Sequence, residues 1–164
     1  MASRPAGSRR GGYAGRGVMT AAWSPADLRR IDAAGELLIA ARRADGTLRR
    51  RLPIWVVTTG GEVYVRTWYR RDTGWFGHVR ETGRAAIRVP GLDAEVTVEE
   101  AGAGPDGLRT AIDAAYRAKY GRYGAGAVGP MVTPEAAATT LRLRPEQHVD
   151  AAESVRKCFG MYRR

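Results

Sequence analysis

Cysteine and histidine are nearly absent from this chain. Cys158 is the only cysteine in 164 residues, which excludes an internal disulfide and any cysteine-cluster metal site. His78 and His148 stand far apart, and neither has an acid at ligand spacing. That argues against a metal centre and against a serine triad. No glycine-rich phosphate loop joins a strand pattern to a helix pattern, so nucleotide binding by that route is excluded. No apolar run reaches the length that spans a bilayer. Residues 1–18 lack the apolar centre of a secretory signal, which predicts a cytoplasmic protein.

What is present is a globular composition, with 44% hydrophobic residues, in a length that suits one domain with a real core. Residues 1–22 read as a disordered arginine- and glycine-rich leader, residues 23–145 as the folded domain, and residues 146–164 as a tail with a weak amphipathic helical pattern. The net charge of +10 is unevenly spread. Residues 42–71 hold eight arginines against Asp45 and Glu62, and such a concentration attracts anions.

Periodicity gives the element order. Ser24-Pro25 caps and opens a short helix that ends at Gly35. Strand-like runs follow near 36–43, 48–58 and 62–68, joined across Asp45-Gly46 and Gly60-Gly61, which predicts a three-stranded meander. Pro53 removes a ladder donor, so its strand is an edge or bulged there. A helix of two turns runs through Trp75, Phe76 and Val79 to Gly83, with Asp72 or Thr73 as its cap. Alternating Ala85, Ile87, Val89 and Ala94, Val96, Val98 flank Pro90-Gly91 as a hairpin. Asp106 opens the strongest helical pattern, which stops at Gly121. An irregular stretch over 121–134 and a last strand over 139–144 complete the domain. Strands in hairpins, with helices between and at the ends, predict a mainly β fold with flanking helices: a small six-stranded antiparallel barrel.

The functional signal is arginine interleaved with tryptophan. Arg49 and Arg51 share a strand face, Arg42 and Arg43 end the neighbouring strand, and Arg66, Thr67, Trp68, Arg70, Arg71 and Thr73 lead into a helix start. Guanidinium forks and a helix N-terminus both suit a phosphate. Trp55, Trp68 and Trp75 offer flat apolar surface to a ring system. The competing reading is ordinary: strand arginines solvate an outer face and tryptophans fill a core. As a group, the cluster reads as an anion site.

Several runs carry a resemblance: Trp23-Ser24-Pro25, Glu36-Leu37-Leu38-Ile39, Ile54-Trp55-Val56-Val57, Val63-Tyr64-Val65-Arg66, Trp75-Phe76, and Tyr116-Arg117-Ala118-Lys119-Tyr120-Gly121-Arg122-Tyr123. From about Trp23 to Pro145 the chain resembles the bacterial domain of unknown function 2255. That family is similar in turn to the FMN-binding split barrels, especially the deazaflavin-dependent nitroreductase-like proteins. The resemblance implies a split β-barrel paired as a homodimer, with FMN or a deazaflavin coenzyme as cofactor and no metal. It maps the family's basic hairpin onto Arg42, Arg43, Thr47, Arg49 and Arg51, and its aromatic helix start onto Trp75-Phe76. In place of that hairpin's lysines and serine stand Asp45, Thr47 and arginines.

The expected function is a flavin- or deazaflavin-binding oxidoreductase-like protein acting on a small organic molecule. In that reading Arg49, Arg51, Arg70, Arg71 and Thr73 hold phosphate. Trp55, Trp68 and Trp75 border the ring, and Tyr116, Lys119 and Tyr120 close the substrate side. Two alternatives stay open: a cofactor-free split barrel that binds a ligand or partner, and a basic nucleic-acid-binding module. Against the last, no aromatic RNA-binding motif or recognition helix is evident.

Overall fold

The computed structural model describes residues 21–68 and 74–146. The leader up to Thr20, the segment 69–73 with the expected cap of the tryptophan helix, and the tail beyond Glu146 lie outside the described residues.

Helix α1 (Pro25–Ala33) begins as its sequence dictates. Ser24 Oγ accepts the Asp27 N–H at 3.1 Å, and Pro25 fills a position whose N–H has no helical partner. Seven strands follow in one antiparallel sheet: β1 (Leu37–Ala41), β2 (Leu52–Ile54), β3 (Val57–Thr59), β4 (Glu62–Val65), β5 (Arg84–Val89), β6 (Leu92–Glu100) and β7 (Leu141–Pro145). Helix α2 (Gly74–Thr82) precedes β5, and α3 (Asp106–Tyr120) follows β6. Two 3₁₀ turns and the short helices α4 (Ala125–Val128) and α5 (Pro134–Ala138) lead into β7.

The strand order β2-β1-β5-β6-β7-β4-β3 explains the shape. The two outermost strands, β2 and β3, are consecutive in the chain and separated only by Trp55 and Val56. Two residues span about 7 Å at most, so the sheet must curl until its edges nearly meet. The result is a barrel with one unzipped seam.

Side chains of α3 close that seam. Tyr120 Oη accepts the Val56 N–H at 3.0 Å and reaches the Gly35 carbonyl at 2.9 Å. Lys119 Nζ donates to the carbonyls of Val56 at 2.9 Å and Ile31 at 3.2 Å. Backbone groups that a closed ladder would have paired are thus satisfied by side chains.

The expected run 48–58 is two strands, which raises the count from six to seven, and β2 does not pair with β3. The three-stranded meander is therefore not formed. Pro53 stands on the edge strand β2, opposite Leu38, where a missing N–H costs no ladder bond on its open side. Residues 49–51 lie outside the strands, so Arg49 and Arg51 share no strand face. The last strand starts at Leu141, because Thr139 and Thr140 finish α5 instead. Their hydroxyls each donate at 2.7 Å to carbonyls of that helix, those of Ala136 and Ala137.

Two apolar layers result. Inside the barrel, Leu37, Ile39, Val63, Val65, Ile87, Val96, Leu141 and Leu143 pack with Ile31, Phe76 and Val79. Outside, Val57 and Tyr64 lie under Ile112, Tyr116 and Tyr120 of α3. Alternation on β4 sorts the two: Val63 and Val65 face inward, and Tyr64 faces α3.

Candidate functional site

The same period-two alternation continues past the end of β4 and puts Arg66 on the face of Tyr64, beneath α3. Its side chain is fully buried, and an isolated charge there would be prohibitively costly. Asp113 supplies the counter-charge, with Oδ1 2.5 Å from Nη1. The Met131 carbonyl accepts from the same nitrogen at 3.0 Å, and Thr140 Oγ1 accepts from Nε at 2.9 Å. The guanidinium also lies 5.5 Å from the centre of the Tyr116 ring. Every part of the group is therefore fixed except Nη2, which has no partner among the described residues.

Arg66 lines a cavity of about 630 Å³, a size that suits a single small-molecule ligand. Leu52, Pro53, Ile54 and Trp55 form one wall where the barrel is unzipped. Thr67, Trp68, Gly74 and Trp75 form another, and Gly126, Ala127, Pro130 and Met131 a third, with Glu36 also contributing. Tryptophans from three places in the chain thus meet around one space. Trp55 is held flat by Tyr120, whose ring lies 4.1 Å away and only 3° out of parallel, and Tyr123 stacks next at 5.9 Å. Trp75 packs edge-on against Phe76 of the core. Trp68 is 63% exposed and stands at the rim. Thr67 is anchored through its backbone: its N–H donates to Thr139 Oγ1 at 3.1 Å, and that hydroxyl lies 3.0 Å from its carbonyl.

Of the expected cofactor-binding residues, the cavity gathers Trp55, Arg66, Thr67, Trp68 and Trp75. Arg42, Arg43, Thr47 and Arg49 are not among its lining residues. Arg42 pairs with Glu95 at 2.5 Å and also donates to the Gly46 carbonyl. Arg43 donates to Thr47 Oγ1 at 3.3 Å and the Leu48 carbonyl at 3.1 Å, and Thr47 bonds Asp45. Arg51 lines a separate cavity of about 350 Å³ near Trp23 and Glu95, and its Nη1 has no partner among the described residues. Arg70, Arg71 and Thr73 lie outside the described residues. Tyr116, Lys119 and Tyr120, expected on the substrate side, form a second layer instead: Tyr116 beneath Arg66, Tyr120 beneath Trp55, and Lys119 on the seam.

Burial dominates the electrostatics of that layer. It holds the Tyr116 hydroxyl well above the ordinary tyrosine range and pushes Tyr120 up to about 12. The same desolvation lowers the Lys119 ammonium. Asp113 and Met131 were not foreseen as site residues. The signal for Asp113 was present: it sits three residues before Tyr116 on the apolar stripe of α3, where an acid requires a buried partner. Among the described residues, no group of His, Cys, Asp and Glu gathers as a metal would require, and no helix is long and apolar enough to cross a membrane.

Solved structures with a similar course of chain include a proposed 5-nitroimidazole antibiotic resistance protein from Bacteroides thetaiotaomicron. It is 12% identical with a TM-score of 0.49, over 81% of this chain and 86% of that one. An FAD- and heme-binding protein from Mycobacterium smegmatis is 20% identical with a TM-score of 0.48, over 77% and 68%. An FAD-binding protein from Mesorhizobium loti is 15% identical with a TM-score of 0.43, over 79% and 94%. No curated protein matches the sequence. The sequence matches one family model, an uncharacterized protein conserved in bacteria (DUF2255), across residues 27–143, and the chain belongs to that family.

Proposed function

We propose that the chain binds the ring of a flavin or deazaflavin coenzyme in the tryptophan-lined cavity and works as an oxidoreductase-like protein on a small organic molecule. The observation that carries this reading is the meeting of Trp55, Trp68 and Trp75 around about 630 Å³. The lining fits such a group: flat apolar walls take the faces of a ring. When bound, the coenzyme supplies hydride chemistry that no side chain of the cavity possesses. The chain's own residues orient and desolvate. Trp55, held by Tyr120, and Trp75, held by Phe76, present rigid surfaces, while Met131, Pro130 and Ala127 keep water from the inner wall. The phosphate falls to groups outside the cavity lining, with the cations Arg49, Arg70 and Arg71 and the hydroxyl of Thr73 as the candidates.

A second reading is a split barrel that binds a small molecule without a coenzyme. It draws support from Arg42 and Arg43, whose bonding needs are met within the fold and which require no phosphate.

Titrating FMN, and separately a deazaflavin coenzyme, into wild type and Trp75→Ala tests the site. Loss of one stacking wall is expected to weaken coenzyme binding by about tenfold. Equal affinity in the variant would remove the cavity from the site.

A further inference from the structure

The charge that the tryptophan-lined cavity offers to a ligand is negative. Arg66 borders it, but that side chain is fully buried and ion-paired with Asp113, so it presents no free charge. Glu36 is the other charged lining residue among those described. It is exposed, and its carboxylate has no hydrogen-bond or ion-pair partner among the described residues. Glu36 also lines a second cavity, of about 580 Å³, whose described cation, Arg88, is taken by Asp93 at 2.6 Å. Chain geometry sets the free carboxylate beside an indole. Leu37 faces Ile54 across β1 and β2, and the register carried one residue on brings Glu36 opposite Trp55. Tyr120 fastens the two segments together. Its hydroxyl bonds the Gly35 carbonyl and the Val56 N–H, next to Glu36 and Trp55, and its ring stacks on Trp55 at 4.1 Å. A carboxylate held beside an aromatic ring suits an organic cation, since the ring quadrupole attracts positive charge and the carboxylate balances it.

We propose that Glu36 binds the ammonium group of an organic amine, with the cationic nitrogen seated between its carboxylate and the Trp55 ring. The proposal rests on the reading above and names the class of its small organic molecule: an amine that is charged at neutral pH. The two cavities share Glu36, so the apolar part of the amine can lie on Leu38, Val89 and Leu92 while a coenzyme ring occupies the tryptophan walls. Arginines more than about 8 Å away are screened at physiological salt, so the carboxylate in contact with the ligand sets the sign. The backbone pinned by Tyr120 holds this corner before the ligand arrives, which lowers the ordering cost of binding.

Two probes on one frame separate charge from shape: 2-(aminomethyl)naphthalene, a cation at pH 7, and 2-(hydroxymethyl)naphthalene, which is uncharged. Equilibrium dialysis of the full chain, with and without FMN or a deazaflavin coenzyme, is expected to show the amine bound about fivefold or more tighter than the alcohol. Glu36→Gln is expected to shrink that ratio by about threefold or more through the amine alone, whereas Glu36→Asp keeps the wild-type order. A merely structural glutamate would change both affinities together and leave their ratio alone. Glu36 is exposed, so neither variant removes core packing. The alcohol binding wild type as tightly as the amine overturns the proposal. So does a ratio that Glu36→Gln leaves unchanged, or failure of both probes to bind. If FMN or the deazaflavin coenzyme binds while any of these results is found, only this proposal falls. If neither coenzyme binds, the proposed function falls, and the two ratios still decide whether Glu36 selects a cation.

Discussion

Tyr116 and Tyr120 stand one helical turn apart on α3, both fully buried, yet their hydroxyls meet opposite surroundings. Tyr120 Oη accepts the Val56 N–H and reaches the Gly35 carbonyl, while Tyr116 Oη has no partner among the described residues. The same substitution should therefore act in opposite directions. Tyr120→Phe strands a buried N–H and is expected to cost about 1–3 kcal/mol. Tyr116→Phe removes an unsatisfied hydroxyl and is expected to be neutral, or stabilising by up to about 1 kcal/mol. Urea unfolding of both variants measures this, and equal destabilisation would contradict the assignment. The i, i+4 spacing of the two tyrosines puts them on one face of α3. It holds nothing to tell their hydroxyls apart, because the partners of Tyr120 lie 64 and 85 residues away.

At the scale of elements, α3 is the fastening of the barrel, and its protonation links the seam to pH. An unfolded chain loses tyrosine protons near pH 10, whereas the folded chain holds the Tyr120 proton to about pH 12 and the Tyr116 proton at least as firmly. Raised folded pKa values contribute stability that is complete below pH 10 and is lost as pH rises from 10 toward 12. The lowered Lys119 acts the other way: its contribution is complete above the ordinary lysine range and is lost as pH falls. Alkaline destabilisation is therefore expected between pH 10 and 12. In Tyr120→Phe its slope should be shallower by up to about 1.4 kcal/mol per pH unit. An unchanged slope in urea unfolding across pH 9 to 11.5 would sink this. The elements themselves were legible wherever their signals are local. Ser24-Pro25 announced α1, Pro90-Gly91 the β5–β6 hairpin, and Gly83 the stop of α2. The break between β2 and β3 was not legible, since Leu52 to Val57 is an apolar run without a glycine or polar turn residue. What parts it is the closure of the whole sheet, with Val56 held by α3.

For the whole molecule, two arginines of the basic stretch are neutralised within the fold. Burial and long-range pairing take Arg66 to Asp113, and Arg42 pairs with Glu95 on β6, so neither belongs to an open basic wall. Sequence spacing cannot show such neutralisation, because the two partners lie 47 and 53 residues away. The tryptophans converge because the sheet curls: Trp55 sits at the seam, Trp68 beyond the end of β4, and Trp75 in the first turn of α2. The family match over residues 27–143 runs from within α1 to within β7 and includes every residue that lines the cavity. The most direct measurement is a fluorescence titration of wild-type protein with FMN and, separately, a deazaflavin coenzyme, at low and moderate salt. A ring held by tryptophan walls predicts saturable binding of one coenzyme, on the order of micromolar, that quenches tryptophan emission and changes little with salt. Absence of binding by both, or an affinity that collapses as salt rises, would contradict it.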